Sequence, residues 1–115
     1  ITGKVRSAIN KQEVDEGICI LFVPHTTAGI LINEAADPDV PRDIEEKLSY
    51  LVPEGDDYRH REGNADAHIK SSIVGSSVKL IIEKGKIKLG RWQGLFFCEF
   101  DGPRKRKIWM KLIRE

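Results

Sequence analysis

The chain has little of what marks several large classes of protein. Its 115 residues carry a formal net charge of only +1, and no apolar run approaches the ~20 residues that span a bilayer. A nearly balanced charge gives no reason to expect a nucleic-acid partner or an acidic membrane surface as partner. We therefore expect neither a membrane protein nor a nucleic-acid-binding protein.

Cysteine is scarce as well. Cys19 and Cys98 both lie inside apolar runs, so buried free thiols are favoured over a disulfide. Neither is expected to be a nucleophile, because apolar burial raises the pKa of a thiol. No segment resembles a signal peptide, so we expect a cytoplasmic protein. Since the chain begins at Ile1 without a methionine, we also expect a native N-terminal segment before it.

Sequence motifs for the common cofactors are missing. The chain has no P-loop and no GxGxxG, which argues against a nucleotide-hydrolysing motor and a dinucleotide enzyme. It also has no HExxH and no cysteine pair with zinc-site spacing. The three histidines together with several carboxylates nevertheless favour catalysis, although only folding could bring them together.

The segments that are present predict one α+β domain, a largely antiparallel β-sheet sandwich with packed helices. Helical spacing of Val5 and Ile9 indicates a short helix within residues 3–16. Residues 18–24 are apolar throughout, which is typical of a central strand. Further strands are predicted over residues 29–34, 78–83, 86–89, 91–100 and 104–113.

Two more helices are expected between the second and third strands. Asp37 and Pro38 suit the start of one, as its N-cap and first helical position. Asn64 suits the N-cap of the other, which would end at Gly75, and capping alone would account for this asparagine. The first of the two has one apolar stripe, formed by Val40, Ile44, Leu48 and Leu51.

The strand over residues 91–100 presents two different faces, because side chains alternate along a strand. One face is aromatic and is expected to belong to the core. The other has polar groups at both ends, which suits either a half-exposed strand or one wall of a ligand site. The core face would comprise Trp92, Gly94, Phe96, Cys98 and Phe100, and the other face Gln93, Leu95, Phe97, Glu99 and Asp101.

A histidine and two hydroxyls follow the first apolar strand directly, as His25, Thr26 and Thr27. Asn33 and Glu34 end the next strand. Polar, titratable groups at the rim of a core are typical of ligand sites. The alternative is that the hydroxyls only satisfy a turn and that the glutamate pairs with a surface lysine.

The other two histidines, His60 and His68, lie in a polar segment rich in asparagine, aspartate and glycine. Neutral imidazole binds zinc well, so these two and His25 are candidate zinc ligands, whereas magnesium would be held by carboxylates. Their spacing matches no standard zinc motif, and hydrogen-bonded histidines remain the alternative.

The basic run from Arg104 to Lys107 does not form one basic face, because on a strand its arginines and lysines would point to opposite sides. A nucleic-acid role is accordingly disfavoured. Arg104 lies beside the Asp101-Gly102-Pro103 turn. Its planar guanidinium could clamp a phosphate or a carboxylate.

Taken together, these segments resemble the YjbQ family, described as secondary thiamine-phosphate synthase proteins. Four short motifs occur in the family's order from residue 17 onward. They are His25-Thr26-Thr27 with Asn33-Glu34, the stretch from His60 to His68, Leu89-Gly90-Arg91-Trp92-Gln93, and the stretch from Glu99 to Arg106.

The resemblance implies a compact sandwich-like fold, a homotrimer, and a polar pocket near a subunit interface for a small phosphorylated substrate. The catalytic residues it implies are His25, Glu34, His60, His68 and Glu99. The implied substrate-binding residues are Thr26, Thr27, Asn33, Asn64, Gln93, Asp101 and Arg104.

The activity that the resemblance implies is a weak one. It joins an aminopyrimidine diphosphate to a thiazole phosphate and releases pyrophosphate. Two other functions fit the same residues: a metal-dependent hydrolase that uses the histidines and carboxylates to activate water, and a non-catalytic protein that binds a phosphorylated metabolite.

Overall fold

Three helices and six strands form the chain in the computed structural model, which describes residues 1–115. The predicted order of elements and the α+β class are confirmed. No helix is long and apolar enough to cross a membrane. The helices are α1 (Thr2–Lys11), α2 (Asp39–Leu51) and α3 (Ala65–Val74), and the strands are β1 (Gly17–Phe22), β2 (Ala28–Glu34), β3 (Ser77–Glu83), β4 (Lys86–Lys88), β5 (Gln93–Glu99) and β6 (Trp109–Arg114).

The strands divide into two antiparallel sheets. The larger has the order β4-β3-β1-β6, so β1 is central as predicted, and the smaller pairs β2 with β5. One apolar cluster draws on both sheets, with Leu21 of β1, Ile30 of β2 and Leu95 of β5 almost fully buried. Ile9 places α1 on the same core. Burial of this cluster is the main contribution that holds the two sheets together.

The prediction for the faces of β5 was wrong. Leu95 is only 2% exposed and Phe97 packs against the core cluster, so the core face is the one predicted to be half-polar. Phe96 and Cys98 are half-buried and lie on the opposite side of the strand, beside α2. Because elements cover both faces of β5, aromatic content alone did not identify the deeper one.

The outer face of the larger sheet is apolar yet exposed. Ile18 and Phe22 of β1, Ile81 of β3 and Trp109 of β6 are between 40% and 59% exposed. The rings of Phe22 and Trp109 stack with centroids 5.8 Å apart. The apolar character of β1 on both faces predicted burial on both sides, but a single chain buries only one.

Several element boundaries differ from the predicted ones, most of them by one or two residues. Oδ1 of Asp37 accepts a hydrogen bond of 2.9 Å from the Asp39 amide, but α2 starts at Asp39 and its N-cap is Pro38. The predicted N-cap and first helical position therefore each lie one residue too early. Leu51 is 61% exposed and does not join the apolar stripe. Residues 104–108 are not in a strand, so the alternation assumed for the basic run does not apply.

A close approach between β2 and the turn after α3 requires glycine at position 29. A Cβ there would lie 2.7 Å from the carbonyl oxygen of Gly75 and 3.0 Å from Cγ1 of Val74. We expect Gly29→Ala to lower the free energy of unfolding by about 1–3 kcal/mol, as overpacking does, measured by urea denaturation. Gly3→Ala is the control, because a Cβ at Gly3 in α1 meets nothing within 4 Å. Equal losses in both variants would contradict the steric argument.

Candidate functional site

Polar side chains gather where β2 begins and β5 ends. The antiparallel register pairs Ala28 with Glu99, which brings the segment before β2 next to the segment after β5. The N-terminus of α3 and the irregular residues 104–107 complete the group. We call this group the arginine site; it comprises His25, Thr27, His60, Asn64, Glu99, Asp101, Arg104 and Arg106.

Arg106 is the inner member of the arginine site. Its Nε donates a 2.6 Å hydrogen bond to Oε1 of Glu99, and its Nη2 donates to Oε2 of the same carboxylate. The Nη2 group also donates to Oγ1 of Thr27 at 2.9 Å. The Arg106 side chain is only 12% exposed. This bidentate ion pair, together with the bond to Thr27, joins the end of β5 to the loop before β2 and to the irregular segment before β6.

Asn64 is the N-cap residue of α3 by position, as predicted, but its side chain connects the helix to the outer arginine. Its side chain makes no capping hydrogen bond. Its Nδ2 donates to Oδ2 of Asp101 at 2.9 Å, and its Oδ1 lies 2.9 Å from Nε2 of His60. Asp101 in turn accepts two hydrogen bonds from Arg104. The Nε atom donates to the backbone carbonyl oxygen of Asp101, and Nη2 donates to its carboxylate oxygen Oδ2. The prediction that capping accounts for Asn64 was therefore wrong.

The two carboxylates of the site remain ionised at neutral pH. Hydrogen bonds from Arg106 lower the pKa of Glu99, although burial acts in the opposite direction. The hydrogen bond from Asn64 is the largest cause that lowers the pKa of Asp101, and Arg104 adds to it. Both carboxylates thus suit the positioning of arginines better than proton transfer near neutral pH.

The three histidines do not form one cluster. The rings of His60 and His68 meet edge to face, with centroids 5.1 Å apart. His25 accepts a 2.8 Å hydrogen bond at Nε2 from the backbone N–H of Lys107, so its neutral form is protonated at Nδ1. No group of three or more histidine, cysteine, aspartate or glutamate side chains is placed to hold a metal ion. The donor set of a single chain therefore does not fit the metal site suggested by the histidines.

Three of the expected site residues lie at the opposite end of the smaller sheet. Asn33 and Glu34 end β2, and Glu34 pairs with Gln93 at the start of β5. Six residues of extended strand separate this end from the arginine site, roughly 20 Å at ~3.3 Å per residue. Gln93 has a local role, because its Oε1 accepts a 2.7 Å hydrogen bond from the Gly90 amide. In a single chain, the residues expected to line one pocket therefore lie in two separate halves.

Arg106 is the main residue of the arginine site that was not predicted from the sequence. It was grouped with three other basic residues whose directions were inferred from a strand that does not form. The position of the run, directly after Glu99 and Asp101 and a Gly-Pro turn, was the available signal. Thr26, which was expected to bind substrate, is exposed, whereas Thr27 is buried and bonded to Arg106.

Comparison with known proteins gives a consistent result. The family model of the UPF0047 protein YjbQ-like matches residues 1–115. The chain is 56% identical to UPF0047 protein MJ1081 of Methanocaldococcus jannaschii over 113 residues, covering 98% of this chain and 82% of that protein. It is 46% identical to UPF0047 protein YugU of Bacillus subtilis, covering 98% and 86%.

Solved structures agree with the fold described above. An uncharacterized conserved protein of the YjbQ/UPF0047 family from Clostridium acetobutylicum superimposes with a TM-score of 0.95 at 56% identity, covering 98% of this chain and 88% of that one. Conserved hypothetical protein TT1486 of Thermus thermophilus gives a TM-score of 0.91 at 46% identity, covering 98% and 88%. Sequence and structure together lead to one conclusion: the chain belongs to the UPF0047 family of YjbQ-like proteins.

Proposed function

We propose that the protein is a small-molecule enzyme that binds a phosphorylated substrate at the arginine site. The reaction we assign to it joins an aminopyrimidine diphosphate to a thiazole phosphate and releases pyrophosphate. The single observation that supports the proposal most is the fixed, outward-lying guanidinium of Arg104. Release of pyrophosphate requires neutralisation of charge on the leaving group, which a preorganised guanidinium supplies.

The division of labour between the two arginines follows from their surroundings. Arg106 is engaged with Glu99 and Thr27 and holds the segments of the site in place. Arg104 is 58% exposed and uses Nε and Nη2 on Asp101, which leaves Nη1 for a phosphate oxygen. Asp101 is itself held by Asn64. The phosphate-binding group is thus oriented before the substrate arrives.

Changing Arg104 tests this assignment. We expect Arg104→Ala to raise KM for the aminopyrimidine diphosphate about tenfold, because one exposed charge-assisted hydrogen bond is lost. Folding should be unaffected, since the side chain is largely exposed. Lys105→Ala is the matched control: it removes one adjacent exposed charge that makes no hydrogen bond to Asp101.

Pyrophosphate release is the readout, with substrate binding measured separately by calorimetry. Equal effects of the two variants would mean that only local charge matters and would contradict the clamp. Binding of the diphosphate without turnover in the native protein would favour a non-catalytic binding protein. A chelator-sensitive hydrolysis would favour the metal-dependent hydrolase, although the donor set found in one chain gives that function no support.

The division of the expected pocket into two halves supports a further part of the proposal, assembly as a homotrimer. Glu34 and Gln93 of one copy can approach the arginine site of another only if copies associate. The exposed apolar face of the larger sheet is a suitable contact surface, because patches of this kind mark interaction sites. A head-to-tail contact that closes on itself forms a ring.

The oligomeric state can be tested on that face. Ile81 is 59% exposed at its centre, and we expect Ile81→Lys to shift the molar mass from trimer to monomer in light scattering after size exclusion. Ile73→Lys is the control, because Ile73 is 58% exposed on α3, outside the face. A monomeric native protein, or equal behaviour of the two variants, would contradict assembly through this surface.

A further inference from the structure

A cavity of about 440 Å³ lies between α2 and the outer face of the smaller sheet. Leu31 of β2 and Phe96 of β5 form its floor, with Phe100 just beyond β5, and Ile44 and Leu48 of α2 form its roof. No residue of α2 is fully buried, so the helix covers the sheet without filling the space beneath it. The volume lies within the range of small-molecule sites.

The polar lining of this cavity is mostly acidic. Lys70 is its one cationic residue, and the Nζ atom lies 3.0 Å from Oδ2 of Asp66, with about nine-tenths of both side chains buried. This pair is neutral overall. Glu99 is neutralised by Arg106 in the arginine site. Glu45 and Glu54 remain as carboxylates that form no ion pair within the chain, so the cavity has a net negative charge.

The negative charge of Glu45 affects a group inside the cavity, the thiol of Cys98. Burial and the Glu45 carboxylate raise the pKa of Cys98, on the floor, to about 11. Cys98 therefore stays a neutral thiol and is no nucleophile at physiological pH. A negative field over a floor of aromatic rings disfavours anions and favours cations, which are attracted to ring faces as well as to carboxylates.

We propose that this cavity binds an organic cation, an ammonium group attached to an apolar or aromatic body. The body packs on Phe96 and Leu48, and the ammonium group lies near Glu45. The cavity adjoins the arginine site through Glu99, but the binding of the cation requires no phosphate. It therefore stands independently of the function proposed above.

Phenethylammonium is a suitable probe, because it has an aromatic ring and one positive charge and contains no phosphate. We expect saturable binding to the native protein in NMR titration, with a Kd on the order of 1 mM. Phenethyl alcohol should bind more weakly, and 3-phenylpropionate should not bind measurably. Equal affinity for the alcohol and the ammonium compound, or no saturable binding of the latter, would overturn the proposal.

Two charge variants on α2 locate the site. Glu45→Gln should weaken binding of phenethylammonium about threefold, the size expected for one charge pair at an exposed carboxylate. Glu46→Gln makes the same change on a neighbouring residue that does not line the cavity, and binding should be unchanged. Phe96→Leu should weaken binding about threefold through loss of the ring face. The proposal is wrong if Glu45→Gln and Glu46→Gln bind the probe equally.

Discussion

Replacing Lys70 with methionine is expected to lower the free energy of unfolding by about 3–5 kcal/mol, the typical cost of leaving one member of a buried ion pair alone. Lys70 and Asp66 lie one turn apart on α3, and their side chains are 10% and 9% exposed. Methionine keeps most of the volume of lysine. The loss of stability therefore measures the cost of leaving the buried Asp66 carboxylate without its ion-pair partner.

A second variant separates that cost from a general change in packing. In Asp66→Leu/Lys70→Met both charges are removed, and most of the stability should return, because apolar residues of similar size often replace a buried pair without loss. Lys4→Met, at an exposed position of α1, should change stability by less than about 0.5 kcal/mol. Urea denaturation measures all three. A double variant as unstable as Lys70→Met would show that packing, and not the unpaired charge, is responsible.

Replacing Arg106 with methionine is expected to cost about 2–4 kcal/mol of stability. The side chain is 12% exposed and bonds to both oxygens of Glu99 and to Thr27. Its loss leaves Glu99 with the Asp101 amide as its remaining donor and leaves Oγ1 of Thr27 without the Arg106 hydrogen bond. The cost is smaller than for Lys70 because Glu99 is 30% exposed and water can reach it. Arg104→Met, at the more exposed arginine, should cost less than about 1 kcal/mol.

The pH dependence of stability provides an independent check on the same pair. Arg106 lowers the pKa of Glu99 in the folded chain, so this ion pair stabilises the protein above the ordinary glutamate pKa of about 4.3. The contribution is lost as the pH falls through the lowered value. The difference in stability between the native protein and Arg106→Met should therefore shrink in acid. A difference that stays constant from pH 7 to pH 3 would contradict the assignment.

The sequence was sufficient for the local features of the fold. Helical spacing identified α1, the apolar run identified β1 as a central strand, and Asn64 and Gly75 marked the ends of α3. Lys84 and Gly85 connect the predicted strands β3 and β4, and both have positive φ. These features depend on interactions between residues that are close in the chain, so a few consecutive residues are enough to predict them.

Only part of the candidate site could be predicted from the sequence. The sequence identified the motif residues, because polar and titratable groups beside apolar strands stand out. Only the pairing of β2 with β5 decided that Glu99 joins Thr27 and that Glu34 and Gln93 lie about 20 Å away. The tertiary structure also determined which face of β5 is more deeply buried and that Arg106 is buried. It likewise determined that Asn64 donates a hydrogen bond to Asp101. Each of these contacts joins residues that are distant in the chain, and such contacts leave no periodic signal in a single sequence.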